Sequence, residues 1–211
     1  MILNKSLETF FDELASNSAT PGGGSIAALA GASSAGLISM VCNLSIGKKN
    51  CEQHQEEIKS ILEKSEELRK HQQELIEQDV EAFNDFMSAL RMPKNNEEEK
   101  LLRKEALNHA LQKATFVPVR IMEHSAELLL LSLKLAPICN KNVISDVGIA
   151  AVMAESAINS AWFNVAINLN SCKDEEFADR IWEKTEQIMD KIEGITEQTI
   201  EIIQDELYSN D

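Results

Sequence analysis

Two kinds of residue in this chain could do chemistry: a run of glycines ahead of a helix, and carboxylates and carboxamides at helical spacing. Thr20-Pro21-Gly22-Gly23-Gly24-Ser25 leads straight into Ile26-Ala27-Ala28-Leu29-Ala30. Three adjacent glycines bare the backbone, so its N–H groups can come close to a ligand. The helix that follows turns its free N–H groups and positive dipole end toward them. Such a turn suits an anion or a flat polar ring. It is not a P-loop, since no Lys-Ser or Lys-Thr pair follows and no strand precedes it. A plain helix cap, with Ser25 or Thr20 as capping residue, is the bland alternative. Asp79 falls on an apolar stripe, one turn from Leu75, Ile76 and Phe83. Partial desolvation there would raise its pKa toward acid–base work, although Asp79 could equally cap the segment from Val80 onward.

Asp146 has the same double reading. It sits in a helix's first turn, where a carboxylate complements the dipole, and just after the polar loop Asn140-Lys141-Asn142. Ser160, Asn164 and Asn168 recur every fourth residue and so share one helix face. Carboxamides offer both donors and acceptors, as a nitrogen heterocycle requires, or they tie helices together. Lys48 and Lys49 form a small basic island that could hold a carboxylate tail or complement a helix end. The four histidines share no spacing, and Cys42, Cys51, Cys139 and Cys172 stand far apart. The expectation is no metal, no disulfide framework and a reducing, cytoplasmic setting.

The elements that must position these residues read as helices throughout. Ser6 to Leu14 is a short amphipathic helix, and Ile26 to Ile46 a long apolar one. The latter has the length of a membrane span, but Asn43, its serines and its low leucine content favour a buried central helix. Ala27, Gly31, Ala35 and Ser39 give it a smooth ridge for close helix contact. Apolar steps of three and four run from Glu52 to Met92, as one long helix or two, ended by Pro93. Lys94-Asn95-Asn96 reads as a solvated loop before a helix that continues to Leu135, with Pro118 bending or restarting it. Ser145-Asp146 caps a helix to Leu169, and Asp174 opens an acidic one to Tyr208. No strand, repeat or linker divides residues 1–211, so the expected fold is a single-domain all-α bundle. A net charge of −15 disfavours nucleic acid and anionic membranes as partners.

Taken in order, Pro21-Gly22-Gly23-Gly24-Ser25, Gly47-Lys48-Lys49, Asp79-x-x-Ala82-Phe83, Asn140-x-Asn142-x-x-Ser145-Asp146-x-Gly148 and Asn164-x-x-x-Asn168 make a set. That set resembles the formiminotetrahydrofolate cyclodeaminase/methenyltetrahydrofolate cyclohydrolase family over nearly the whole chain. The resemblance implies a helical homodimer that binds a folate as substrate and keeps no permanent cofactor. It implies closure of 5-formiminotetrahydrofolate to 5,10-methenyltetrahydrofolate with loss of ammonia. The alternative is hydration of 5,10-methenyltetrahydrofolate to 10-formyltetrahydrofolate. Asp146 and Asp79 are then the acid–base candidates. Pro21, Gly22, Gly23, Gly24, Ser25, Asn142, Asn164 and Asn168 would hold the ligand, and Lys48 and Lys49 its glutamate tail. A folate-binding protein without turnover, or an acidic interaction bundle, are the rival readings.

Overall fold

A computed structural model describes residues 2–208. Seven α-helices follow in order: α1 (Leu7–Leu14), α2 (Gly23–Ser45), α3 (Gln55–Leu90), α4 (Glu97–Leu135), α5 (Ile144–Asn170), α6 (Glu175–Ile192) and α7 (Ile195–Tyr208). Three short 3-10 turns precede α1, α3 and α5, and there is no strand among the described residues. The all-α bundle expected from the sequence is therefore present.

Polar side chains set the helix starts. Ser6, Asn96 and Asp174 each accept a backbone N–H from the first turn of α1, α4 and α6. Several boundaries differ from expectation. The glycines do not precede α2 but form its start: Gly22 is the N-cap, without a side-chain bond, and Gly23 and Gly24 lie in the first turn. Helix α5 begins at Ile144, ahead of Ser145, and Val143 occupies the cap position without a side-chain bond. The acidic C-terminal stretch is two helices, because Gly194 turns the chain at φ +72°.

Helix α2 packs against α3, α4 and α5. It and the 141–170 segment are long and apolar enough to cross a membrane by length and composition. Most of α2's apolarity is spent on the core, where Ala27, Ala28, Ala35, Ile38 and Val41 are fully buried. Helices α2 and α3 run antiparallel, joined by Ser25 to Asp79 and by Ser39 to Ser65, each at 2.8 Å. Helices α2 and α5 are antiparallel too: Ser34 Oγ donates to the Ala150 carbonyl at 2.8 Å, and Ser45 Oγ accepts from the Asn140 N–H at 2.8 Å. The small-residue ridge of α2 faces inward. A Cβ on Gly31 would lie 2.5 Å from Gln72 Nε2, whose amide donates to Ser125 Oγ at 2.8 Å and the Ile121 carbonyl at 3.3 Å. Gly31 thus makes room for a side chain that ties α3 to α4.

Candidate active site

The first turn of α2 has ordinary backbone angles, since no glycine there has positive φ. Its glycines serve close approach instead. A Cβ on Gly24 would sit 2.0 Å from Asp79 Oδ1, so the carboxylate of α3 lies directly on the backbone of α2. Ser25 Oγ donates to Asp79 Oδ2 at 2.8 Å. Burial pushes the Asp79 carboxyl above the ordinary carboxylate range, and the Ser25 hydroxyl and backbone N–H oppose that rise. A carboxyl held this way keeps its proton to a higher pH than a solvated one, the direction that acid–base work requires.

The opposite wall comes from α5. A Cβ on Gly23 would come within 3.4 Å of Asn164 Oδ1, an ordinary contact. Asn164 Nδ2 donates back to the Ser160 carbonyl at 2.8 Å. Asn168 Nδ2 donates to the Ala114 carbonyl at 3.1 Å. That carbonyl stands four residues before Pro118, which has no N–H to give it. The ring therefore frees an acceptor inside an unbroken α4, and Asn168 satisfies it. For Asn168 the helix-tying role holds, and its remaining amide atoms border the cleft. Asp79, Phe83, Phe86, Pro118, Asn164 and Asn168 line a cavity of about 290 Å³. It combines aromatic walls with a few convergent polar groups, the make-up of a small-molecule site.

The remaining candidates stand elsewhere. Asp146 and Asn164 are eighteen residues apart on α5, about 27 Å at 1.5 Å per residue. Asn142 is exposed and lies with half-buried Asp146 at the N-terminal end of α5. Lys48 and Lys49 are exposed just beyond the C-terminus of α2. Asn140 of the same motif is structural: its Nδ2 donates to the Leu44 carbonyl at 3.1 Å and its Oδ1 accepts the Asn142 N–H at 3.3 Å. The chain thus gathers Gly22 to Ser25, Asp79, Asn164 and Asn168 at one end of the bundle. Asn142, Asp146, Lys48 and Lys49 are at the other. Sequence reasoning missed Phe86 and Pro118, although Phe86 falls one turn from Phe83 on the stripe already noted. Among the described residues no group of three or more His, Cys, Asp or Glu could hold a metal ion.

Fold and geometry define a helical bundle with a carboxylate-bearing cleft at the start of its central helix. A family model for formiminotransferase-cyclodeaminase matches residues 6–187. The methenyltetrahydrofolate cyclohydrolase of Methylorubrum extorquens is 40% identical over 95% of this chain and 96% of its own length. The formimidoyltransferase-cyclodeaminase of Rattus norvegicus is 32% identical over 85% of this chain, which spans only 33% of the rat protein. The crystal structure of formiminotetrahydrofolate cyclodeaminase from Thermotoga maritima superposes with a TM-score of 0.88 at 31% identity, covering 99% of this chain and 100% of that one. The chain belongs to the formiminotransferase-cyclodeaminase family.

Proposed function

We propose that this protein is a folate one-carbon enzyme acting at the carbon between N5 and N10, with hydrolysis of 5,10-methenyltetrahydrofolate as its main reaction. The observation that carries this is Asp79, a carboxylate with a raised pKa held between the first turn of α2 and the Asn-bearing face of α5. The ionised form would face the cationic methenyl bridge and take a proton from the attacking water. The protonated form would return that proton to N5 as its bond to the bridge carbon breaks, while the hydroxyl left by the water loses its remaining proton to solvent and becomes the carbonyl of the formyl group on N10. Cyclodeamination uses the same positions: N10 attacks the formimino carbon and the proton goes to departing ammonia. The Methylorubrum relative, matched over 96% of its length, favours hydrolysis. The Thermotoga structure favours deamination as the second reading.

Homodimer formation is part of this proposal. Apart from Asp146 and Glu155, α2 and α5 carry no charged residue. Their outer faces expose Met40, Leu44, Ile149, Val152, Phe163 and Ile167, with Phe163 67% exposed. An uncharged face of this length is suited to a second copy. A two-fold axis crossing the middle of α5 would bring the Asp146 end of one copy beside the Asp79 end of the other. Both halves of the family's motif set would then meet in one composite site. The deciding experiment follows methenyltetrahydrofolate absorbance in both directions. Loss of absorbance with 10-formyltetrahydrofolate as product is expected. Absorbance gained only from 5-formiminotetrahydrofolate would make deamination the main reaction, and no change from either would remove the enzyme reading.

A further inference from the structure

The serines of α2 spend their hydroxyls in different ways. Ser33 and Ser45 turn back onto the carbonyls of Leu29 and Val41, four residues earlier, at 2.8 and 2.7 Å. Ser25 lies in the first turn, where the residue four back is Pro21, outside the helix. It does not cap α2 either, since Gly22 holds the cap position. Fully buried, it sends its hydroxyl across to α3, where it donates to Asp79 Oδ2 at 2.8 Å. Ser34 and Ser39 also bond across helices, but to a carbonyl and a hydroxyl. The partner of Ser25 is a group that titrates.

Among the described residues no other side chain donates to Asp79, and no other charged residue lines its cleft. Helix α2 carries no charge, and Lys113 of α4 is paired with Asp85 at 2.6 Å. The Asp79 carboxylate is therefore fixed by a neutral hydroxyl and not by an ion pair, and the missing Cβ of Gly24 leaves the space it occupies. A hydroxyl is well matched to a group that gains and loses a proton. It can donate to the carboxylate and accept from the carboxylic acid, whereas an ammonium or guanidinium can only donate. We propose that Ser25 is the positioning residue of the site, its hydroxyl fixing the Asp79 carboxyl in place for proton exchange. This rests on the reading of Asp79 as the acid–base group. Burial disfavours the ionised form that must face the attacking water, and the Ser25 hydroxyl opposes burial.

The test uses Ser25→Ala, the weaker donor Ser25→Cys, and Ser33→Ala as a reference serine. Infrared difference spectra of the carboxyl bands, taken against Asp79→Asn, follow the Asp79 titration in the whole protein with no ligand present. Ser25→Ala is expected to move the midpoint to higher pH, Ser25→Cys to move it less, and Ser33→Ala to leave it in place. In steady-state hydrolysis of 5,10-methenyltetrahydrofolate, the acid limb of the kcat profile should move the same way. Ser25→Ala then loses about tenfold in kcat on that limb, with KM within about twofold of wild type. An unmoved midpoint in Ser25→Ala overturns the proposal and leaves the folate reading standing. A moved midpoint with an unmoved rate profile also overturns it, because Ser25 would then hold a carboxyl that the reaction does not use. If wild type neither consumes nor forms methenyltetrahydrofolate, the folate reading fails. The ligand-free titration then decides alone: a moved midpoint retains Ser25 as the residue that holds Asp79 for proton exchange, and an unmoved one overturns it.

Discussion

Asp79 is the residue on which the proposed site turns, and its burial opposes the ionised form that the proposal requires. Burial raises its pKa in the folded state above the unfolded value. The native state therefore holds the proton more tightly. This group's contribution to stability is full below the ordinary carboxylate range and is lost as pH rises through the raised value. Asp79→Asn is accordingly expected to melt at or above the wild-type temperature near neutral pH, with the gap closing in acid. The same variant should lose about 10²–10⁴-fold in turnover, because the amide cannot exchange the proton. Melting curves across pH beside initial rates check both halves; a less stable variant with full activity would return Asp79 to a structural role. The neighbouring glycines give a finer contrast. Gly24→Ala would put a Cβ 2.0 Å from Asp79 Oδ1 and force the carboxylate off its seat. Gly23→Ala makes only an ordinary contact at 3.4 Å with Asn164. Activity should fall sharply in the first and stay within a few fold in the second, which steady-state rates on the two purified variants measure.

At the scale of helices, the site depends on a repair. Helix α4 runs through Pro118 without a break, leaving the Ala114 carbonyl without its helical donor. The Asn168 amide from α5 replaces that donor at 3.1 Å and fixes the two helices in register beside the cleft. Asn168→Ala should cost about 0.5–1.5 kcal/mol by removing the bond to this part-buried acceptor. Adding Pro118→Ala restores an N–H within α4, so the double variant should lose less than the sum of the two single changes. A denaturant double-mutant cycle reads that coupling, and strict additivity would show that the Asn168 bond contributes nothing at this position.

Across the whole molecule, the candidate residues stand in two groups at opposite ends of one bundle, and the proposed function needs both in one site. The two-fold pairing proposed for the α2 and α5 faces predicts complementation between inactive variants. Asp79→Asn and Asp146→Asn protomers, unfolded and refolded together in equal amounts, should regain about a quarter of wild-type activity. Half of the resulting dimers are mixed, and each mixed dimer rebuilds one of its two sites. Adding Phe163→Glu to both protomers sets a charge on the shared face and should abolish the regain. Rates of the mixture against each parent check this. No regain would mean that the two ends do not meet across a dimer. Full activity in Asp146→Asn alone would leave Asp146 as a partner of the helix dipole.

Helical periodicity, the scarcity of Gly and Pro and the absence of alternating strands determined the all-α fold from the sequence alone, because these are local signals repeated over many turns. The ordered motifs determined the family for a similar reason, since each is read within a few neighbouring residues. Proximity is a different kind of information. Asp79 and Gly24 are fifty-five positions apart, and only the antiparallel packing of α2 on α3 lays one on the other. Asn168 and Pro118 gave no joint signal, because the bond between them runs through a backbone carbonyl whose missing donor is visible only once α4 is seen to continue.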